Sequence, residues 1–106
     1  MGFFSDDHPN ADAYEQVYKG GEEHHSKFSH ELIGGAAAFA AARAYEQRQA
    51  REGKPASHAL AKEIIAGIAG AEVDKLFETK GLDFIDREKA KRHAQREAEA
   101  AVADDY

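Results

Sequence analysis

Apolar positions along this chain recur with helical spacing in two long stretches and one paler one. From Ser29, an expected N-cap, Leu32, Ala36, Phe39 and Arg43 align on one face, with Gly35 and Ala42 beside them. Phe28 is placed to pack on Ile33 as a hydrophobic staple. This helix should end at Gly53, because Lys54-Pro55 forbids continuation. A second long helix is predicted from the N-cap Ser57 to Gly81, with Leu60, Ile64, Ile68 and Ala71 as its inner stripe. Gly81 suits a left-handed C-terminal position, with Leu82 closing onto Phe77. Asp83 is then expected to cap a third, charged helix through about Ala101. After Phe84 and Ile85, only Ala90, Ala94, Ala98 and Val102 could face a partner there, so its end should fray.

The pattern predicts an all-α fold: a long antiparallel hairpin joined by a linker of roughly four residues, plus the charged C-terminal helix. Residues 1–26 read as a polar, partly flexible arm broken by Pro9 and Gly20-Gly21. A short helix from about Asp12 to Lys19 is expected within it, with Tyr14, Val17 and Tyr18 as docking side chains. Residues 27–102 form the helical domain and 103–106 a flexible tail.

Residues 31–46, ELIGGAAAFAAARAYE, align without gaps to 63–78, EIIAGIAGAEVDKLFE. Glu31/Glu63, Ile33/Ile65, Gly35/Gly67, Ala37/Ala69 and Glu46/Glu78 are identical, and Tyr45/Phe77 are similar. Two related antiparallel helices imply a pseudo-twofold hairpin.

Composition makes the core thin. Of 106 residues, 22 are alanine, while Leu, Ile, Val and Phe together number 18. Alanine is the best helix former, so the helices should pack through small residues. A glycine inside a helix costs roughly 0.8–1 kcal/mol relative to alanine, so Gly34, Gly35, Gly67 and Gly70 need a compensating gain. Close helix approach supplies one. In the hairpin, Gly70 would face Phe39, and Gly67 would face Ala42, large against small. The functional alternative is that Gly34 and Gly35 leave a groove for a ligand or a second chain. A core this small also favours association, as a homo-oligomer or with a helical protein partner.

Charge and targeting narrow the function classes. The balance of 20 acidic against 14 basic residues argues against a general nucleic-acid binder. The basic run from Arg87 to Arg96 has Glu88 interleaved and no aromatic side chain, and reads as a solvated helix face. The longest uncharged apolar stretch, Leu32 to Ala42, has eleven residues, where a membrane-spanning helix needs roughly 20. No basic, apolar leader opens the chain, and Asp6 stands where a myristoylation motif requires Ser or Thr. Peripheral membrane contact through Phe3-Phe4 is not expected. A cytoplasmic protein is.

Six histidines offer the main candidate chemistry. No two stand at i, i+4, and His30-Glu31 lacks the rest of a zinc-protease motif. His24, His25 and His30 are the candidate metal or haem ligands. Ser29-His30 and Ser57-His58 begin opposite ends of the hairpin, roughly 35 Å apart, and cannot share an intrachain site. With no cysteine, P-loop or nucleophile elbow, a non-enzymatic protein is expected, with no cofactor.

Several blocks together resemble the fungal CipC-like family of antibiotic-response (concanamycin-induced) proteins. They are His24 to Phe39, Gly53 to Ala59, Ala61 to Gly67, and the run from Glu72 to Phe84 that contains Lys80-Gly81-Leu82-Asp83. The resemblance implies a fungal cytoplasmic protein tied to stress or growth state, and brings no catalytic residues with it.

Overall fold

The computed structural model describes residues 9–19, 29–53, 55–80 and 85–105. Among them the chain forms α1 (Pro9–Tyr14), continued by a π-helical turn (Glu15–Lys19), then α2 (His30–Glu52), α3 (His58–Lys80) and α4 (Arg87–Asp105). The starts have local causes. Proline at the first position of α1 lacks only an N–H that a helix start leaves unused. The Ser29 hydroxyl accepts from Leu32 N–H at 3.1 Å, and the Ser57 hydroxyl accepts from Leu60 N–H at 3.1 Å. Gly53 ends α2 at φ 83°, a left-handed conformation that glycine adopts without a Cβ penalty. Its N–H donates to the Gln49 carbonyl at 2.8 Å.

The third long helix begins later and ends later than its pattern suggested. Asp86 caps it, its carboxylate accepting from Lys89 N–H at 3.1 Å. The expected cap Asp83, the Gly81–Leu82 closure and the staple residue Phe28 all lie outside the described residues. At the other end, helix continues to Asp105 into the expected tail, with Ala101 and Val102 buried.

Antiparallel α2 and α3 are joined by a short connection, and α4 packs against both. This is a three-helix bundle, with α1 laid across α2 on another side. Ala90, Ala94 and Ala98 are fully buried and Val102 nearly so. A stripe at i, i+4, i+8 and i+12 made of such small side chains lets three backbones come close together. Ile33, Ile65, Val73, Leu76 and Tyr45 supply the bulk around it.

Inserting α4 rotates the hairpin faces away from the two-helix expectation. The buried stripe of α3 is Ala61, Ile65, Ala69 and Val73, one or two positions on from the expected residues. Leu60 is 42% exposed, Ile64 and Ile68 are half-buried, and Ala71 is exposed. Gly70 therefore does not face Phe39. A Cβ there would meet Gln95 Nε2 of α4 at 3.0 Å, and the Gln95 amide donates to the Ala66 carbonyl at 3.3 Å. Nor does Gly67 face Ala42: Ala42 is buried, while a Cβ on Gly67 would meet nothing within 4 Å. Phe39 instead packs on Tyr14 of α1, ring centroids 5.0 Å apart.

Gly34 and Gly35 do sit under close neighbours. A Cβ at Gly34 would stand 2.6 Å from His93 Cδ2 and 2.9 Å from His93 Cβ; at Gly35 it would stand 2.6 Å from Asn10 Oδ1. Opposite outcomes follow for the same substitution at two positions. Gly67→Ala gains helix propensity in open space and should stabilise dilute protein by about 0.8–1 kcal/mol. Gly34→Ala must displace α4 and should cost roughly 1–2 kcal/mol net. Urea unfolding of both variants at low micromolar concentration checks the pair.

Candidate functional site

The basic run of α4 divides between two faces. Arg87 and Lys91, one turn apart, turn toward α3, where Asp74 accepts from Arg87 Nε at 2.9 Å and Lys91 Nζ at 3.3 Å. Arg87 also reaches Glu78 at 3.8 Å and lies over the Phe77 ring, 5.5 Å from its centroid. Desolvation pushes the Asp74 carboxyl upward, but the hydrogen bonds and charges of Arg87 and Lys91 together outweigh it and hold Asp74 below its ordinary value. Pairs this exposed contribute modestly to stability. They do consume the charge of Arg87 and Lys91.

Lys89, Arg92, His93 and Arg96 follow i, i+3, i+4 and i+7 spacing on the other face. With His30 and Glu31 from the first turn of α2 they line a concavity of about 250 Å³. His93 lies on bare Gly34, so glycine at this position allows α4 to approach the start of α2. Among the described residues, the side chains of Lys89, Arg92 and Arg96 have no carboxylate partner within salt-bridge distance. Three cations without a carboxylate partner among the described residues share a site on a chain of formal charge −6. Such an arrangement can hold an anion through charge-assisted hydrogen bonds.

The sequence placed these residues on a solvated helix face, and their phase along α4 was the signal it left unused. Of the candidate ligands, His30 lines the concavity, while His24 and His25 lie outside the described residues. Among the described residues no group of three His, Cys, Asp or Glu side chains is placed to hold a metal ion. Ser29 and Ser57 both serve as helix caps.

A second concavity, about 270 Å³, lies between α1 and α2 and is lined by Ala11, Asp12, Glu15, Phe39 and Arg43. Its charges are mixed. Here α1 and the π-helical turn that continues it are tied down at their two ends: Asn10 Nδ2 donates to Glu97 at 3.0 Å, and Tyr18 OH donates to Glu72 at 2.6 Å. Val17 is fully buried between these bonds, and Tyr14 stacks on Tyr18 with centroids 4.6 Å apart.

Burial, then the hydrogen bond to Glu72, raises the Tyr18 phenol well above its ordinary value of 10.0. Above that pH the unfolded chain releases the Tyr18 proton while the folded chain keeps it, so folding binds protons and stability falls as pH rises. Tyr18→Phe should lose about 1.5–3 kcal/mol near neutral pH, the worth of a hydrogen bond to a charged group. The deficit should shrink above pH 10. Urea titrations of both proteins at pH 7, 9 and 10.5 measure it.

Outside the two concavities, Leu60, Ile64, Gly67, Ile68 and Ala71 form an apolar stripe on α3, with Gly67 in open space among the described residues. The internal repeat explains its character. Ile33 and Ile65 are both fully buried, as are Ala37 and Ala69, while Tyr45 and Phe77 are both buried. The copies diverge at Gly35 and Gly67: α1 covers the first, and no described residue covers the second.

No curated protein and no solved structure matches the chain. One family model does, over residues 13–105, from α1 to the end of α4. By that match, which spans the whole helical bundle, the chain belongs to the family described as virulence factor CipC-like.

Proposed function

We propose that this is a non-enzymatic, cytoplasmic stress- or virulence-related protein that acts by helix-mediated self-association, through the outer face of α3. The family's description supports the coarse role. What supports the mechanism is the pairing of Gly35 with Gly67. On α2, the glycine face accepts a short helix at close range; on α3, the equivalent face carries Leu60, Ile64, Ile68 and Ala71 around an open glycine. A second copy is the fitting occupant. A twofold contact of α3 on α3 brings the same apolar stripe to both sides, and Gly67 at the crossing allows close approach.

The alternative, a metal or haem bound at His24, His25 and His30, is less well supported. His30 lies beside Lys89, Arg92 and Arg96, whose like charges oppose a metal cation.

Size-exclusion chromatography with light scattering at several hundred micromolar should give twice the 11.6 kDa chain mass. Leu60→Glu/Gly67→Glu should return the mass to a single chain with unchanged helicity, since both positions are exposed. A wild-type protein that stays at 11.6 kDa at that concentration, or a variant that associates as the wild type does, contradicts the proposal.

A further inference from the structure

We infer that the concavity between the start of α2 and the first half of α4 is a binding site for a small polyphosphate-type anion, one carrying two or more phosphoryl groups. The site goes beyond the self-association reading and does not depend on it, because it lies on α2 and α4 and the proposed contact lies on α3.

Charge is the first argument. Lys89, Arg92 and Arg96 bring three positive charges and Glu31 at the same concavity brings one negative charge, while the carboxylate of Asp74, on α3, is held by Arg87 and Lys91 on the other face of α4. Asp86, next along the chain, accepts from Lys89 N–H as the cap of α4. A monoanion would leave half of this excess unneutralised. An anion with several charges matches it.

Geometry is the second. Lys89 and Arg96 are seven residues apart, roughly 10 Å along a helix at 1.5 Å per residue, so these two long side chains flank the concavity along the helix axis with Arg92 between them. Two of the three cations are arginines, whose planar forks bind phosphoryl oxygens in pairs. His30 and His93 add ring N–H donors at the same walls. The volume, about 250 Å³, is below the roughly 300–1,000 Å³ of pockets for drug-sized organic ligands, and the lining side chains are polar or charged. The site is made for a small, highly charged group.

Placement is the third. The concavity depends on α4 lying against α2 at Gly34, where no side chain intervenes and His93 fills the space. The charge cluster and the bare backbone beneath it come from different helices, and the packing of the bundle joins them.

Isothermal titration of the full chain with inorganic pyrophosphate, in low salt without magnesium, tests the inference. Saturable one-to-one binding is expected, weakening as salt rises. Each lost arginine contact should lower affinity about tenfold or more, so Arg92→Gln/Arg96→Gln should reduce it at least that far. Both residues are exposed, so the variant should keep its helicity and melting temperature. Arg43→Gln, in the other concavity, should bind as the wild type does. Gly34→Ala leaves every charge in place but shifts α4, and should also weaken binding severalfold. Orthophosphate and citrate separate the ligand classes: both should bind at least tenfold more weakly than pyrophosphate. No saturable binding at millimolar pyrophosphate, equal loss in Arg43→Gln, or citrate or orthophosphate binding as tightly as pyrophosphate overturns the inference.

Discussion

Everything in this fold depends on how closely α4 approaches the α2–α3 hairpin. Its buried side chains are Ala90, Ala94, Ala98, Ala101 and Val102. Helix axes can approach to the short end of the usual 8–10 Å range only when the side chains between them are small. Alanine brings little transfer free energy per residue, since the hydrophobic effect scales with apolar area. It also loses no side-chain entropy on burial, and it holds the backbone helical. A chain with only 18 Leu, Ile, Val and Phe residues can close a core on those terms. The larger side chains sit on α2 and α3, around the alanine stripe rather than in it.

That close approach also decides what the surface offers. His93 resting on Gly34 draws the cationic face of α4 to the start of α2, while Arg87 and Lys91 are spent on Asp74 of α3. One basic run thus does two jobs on two faces: it ties the third helix down and forms a positively charged concavity. The hairpin is divided in the same way. Its two copies bury matching residues in the core, at Ile33/Ile65 and Ala37/Ala69, and differ on their outer faces, where α1 covers only the α2 copy.

Local signals were legible in the sequence wherever the cause was local. Ser29, Gly53 and Ser57 punctuate the chain as their chemistry requires, and the alanine stripe of the last helix is the one its spacing indicates. Gly67 and Gly70 do not face Ala42 and Phe39 because those facing partners belong to a hairpin that stands alone. Once α4 enters, α3 turns Ile65, Ala69 and Val73 inward and carries Leu60 and Gly67 outward. A three-body packing choice of this kind is not written in the periodicity of any one helix. The same holds for the concavity: the phase of Lys89, Arg92 and Arg96 was present in the sequence, but their meeting with His30 and Glu31 is tertiary.

The central claim is that α4, despite its pale apolar face, is an integral wall of the core. Native-state hydrogen exchange measures this most directly, because an amide in an integral wall exchanges only when the whole domain unfolds. The account predicts that the amides of Ala94 and Ala98 are as strongly protected as those of Ala37 and Ala69, and that all four respond alike to low concentrations of denaturant. Early exchange of Ala94 and Ala98, with α2 and α3 still protected, would contradict it and make α4 an appendage of the hairpin.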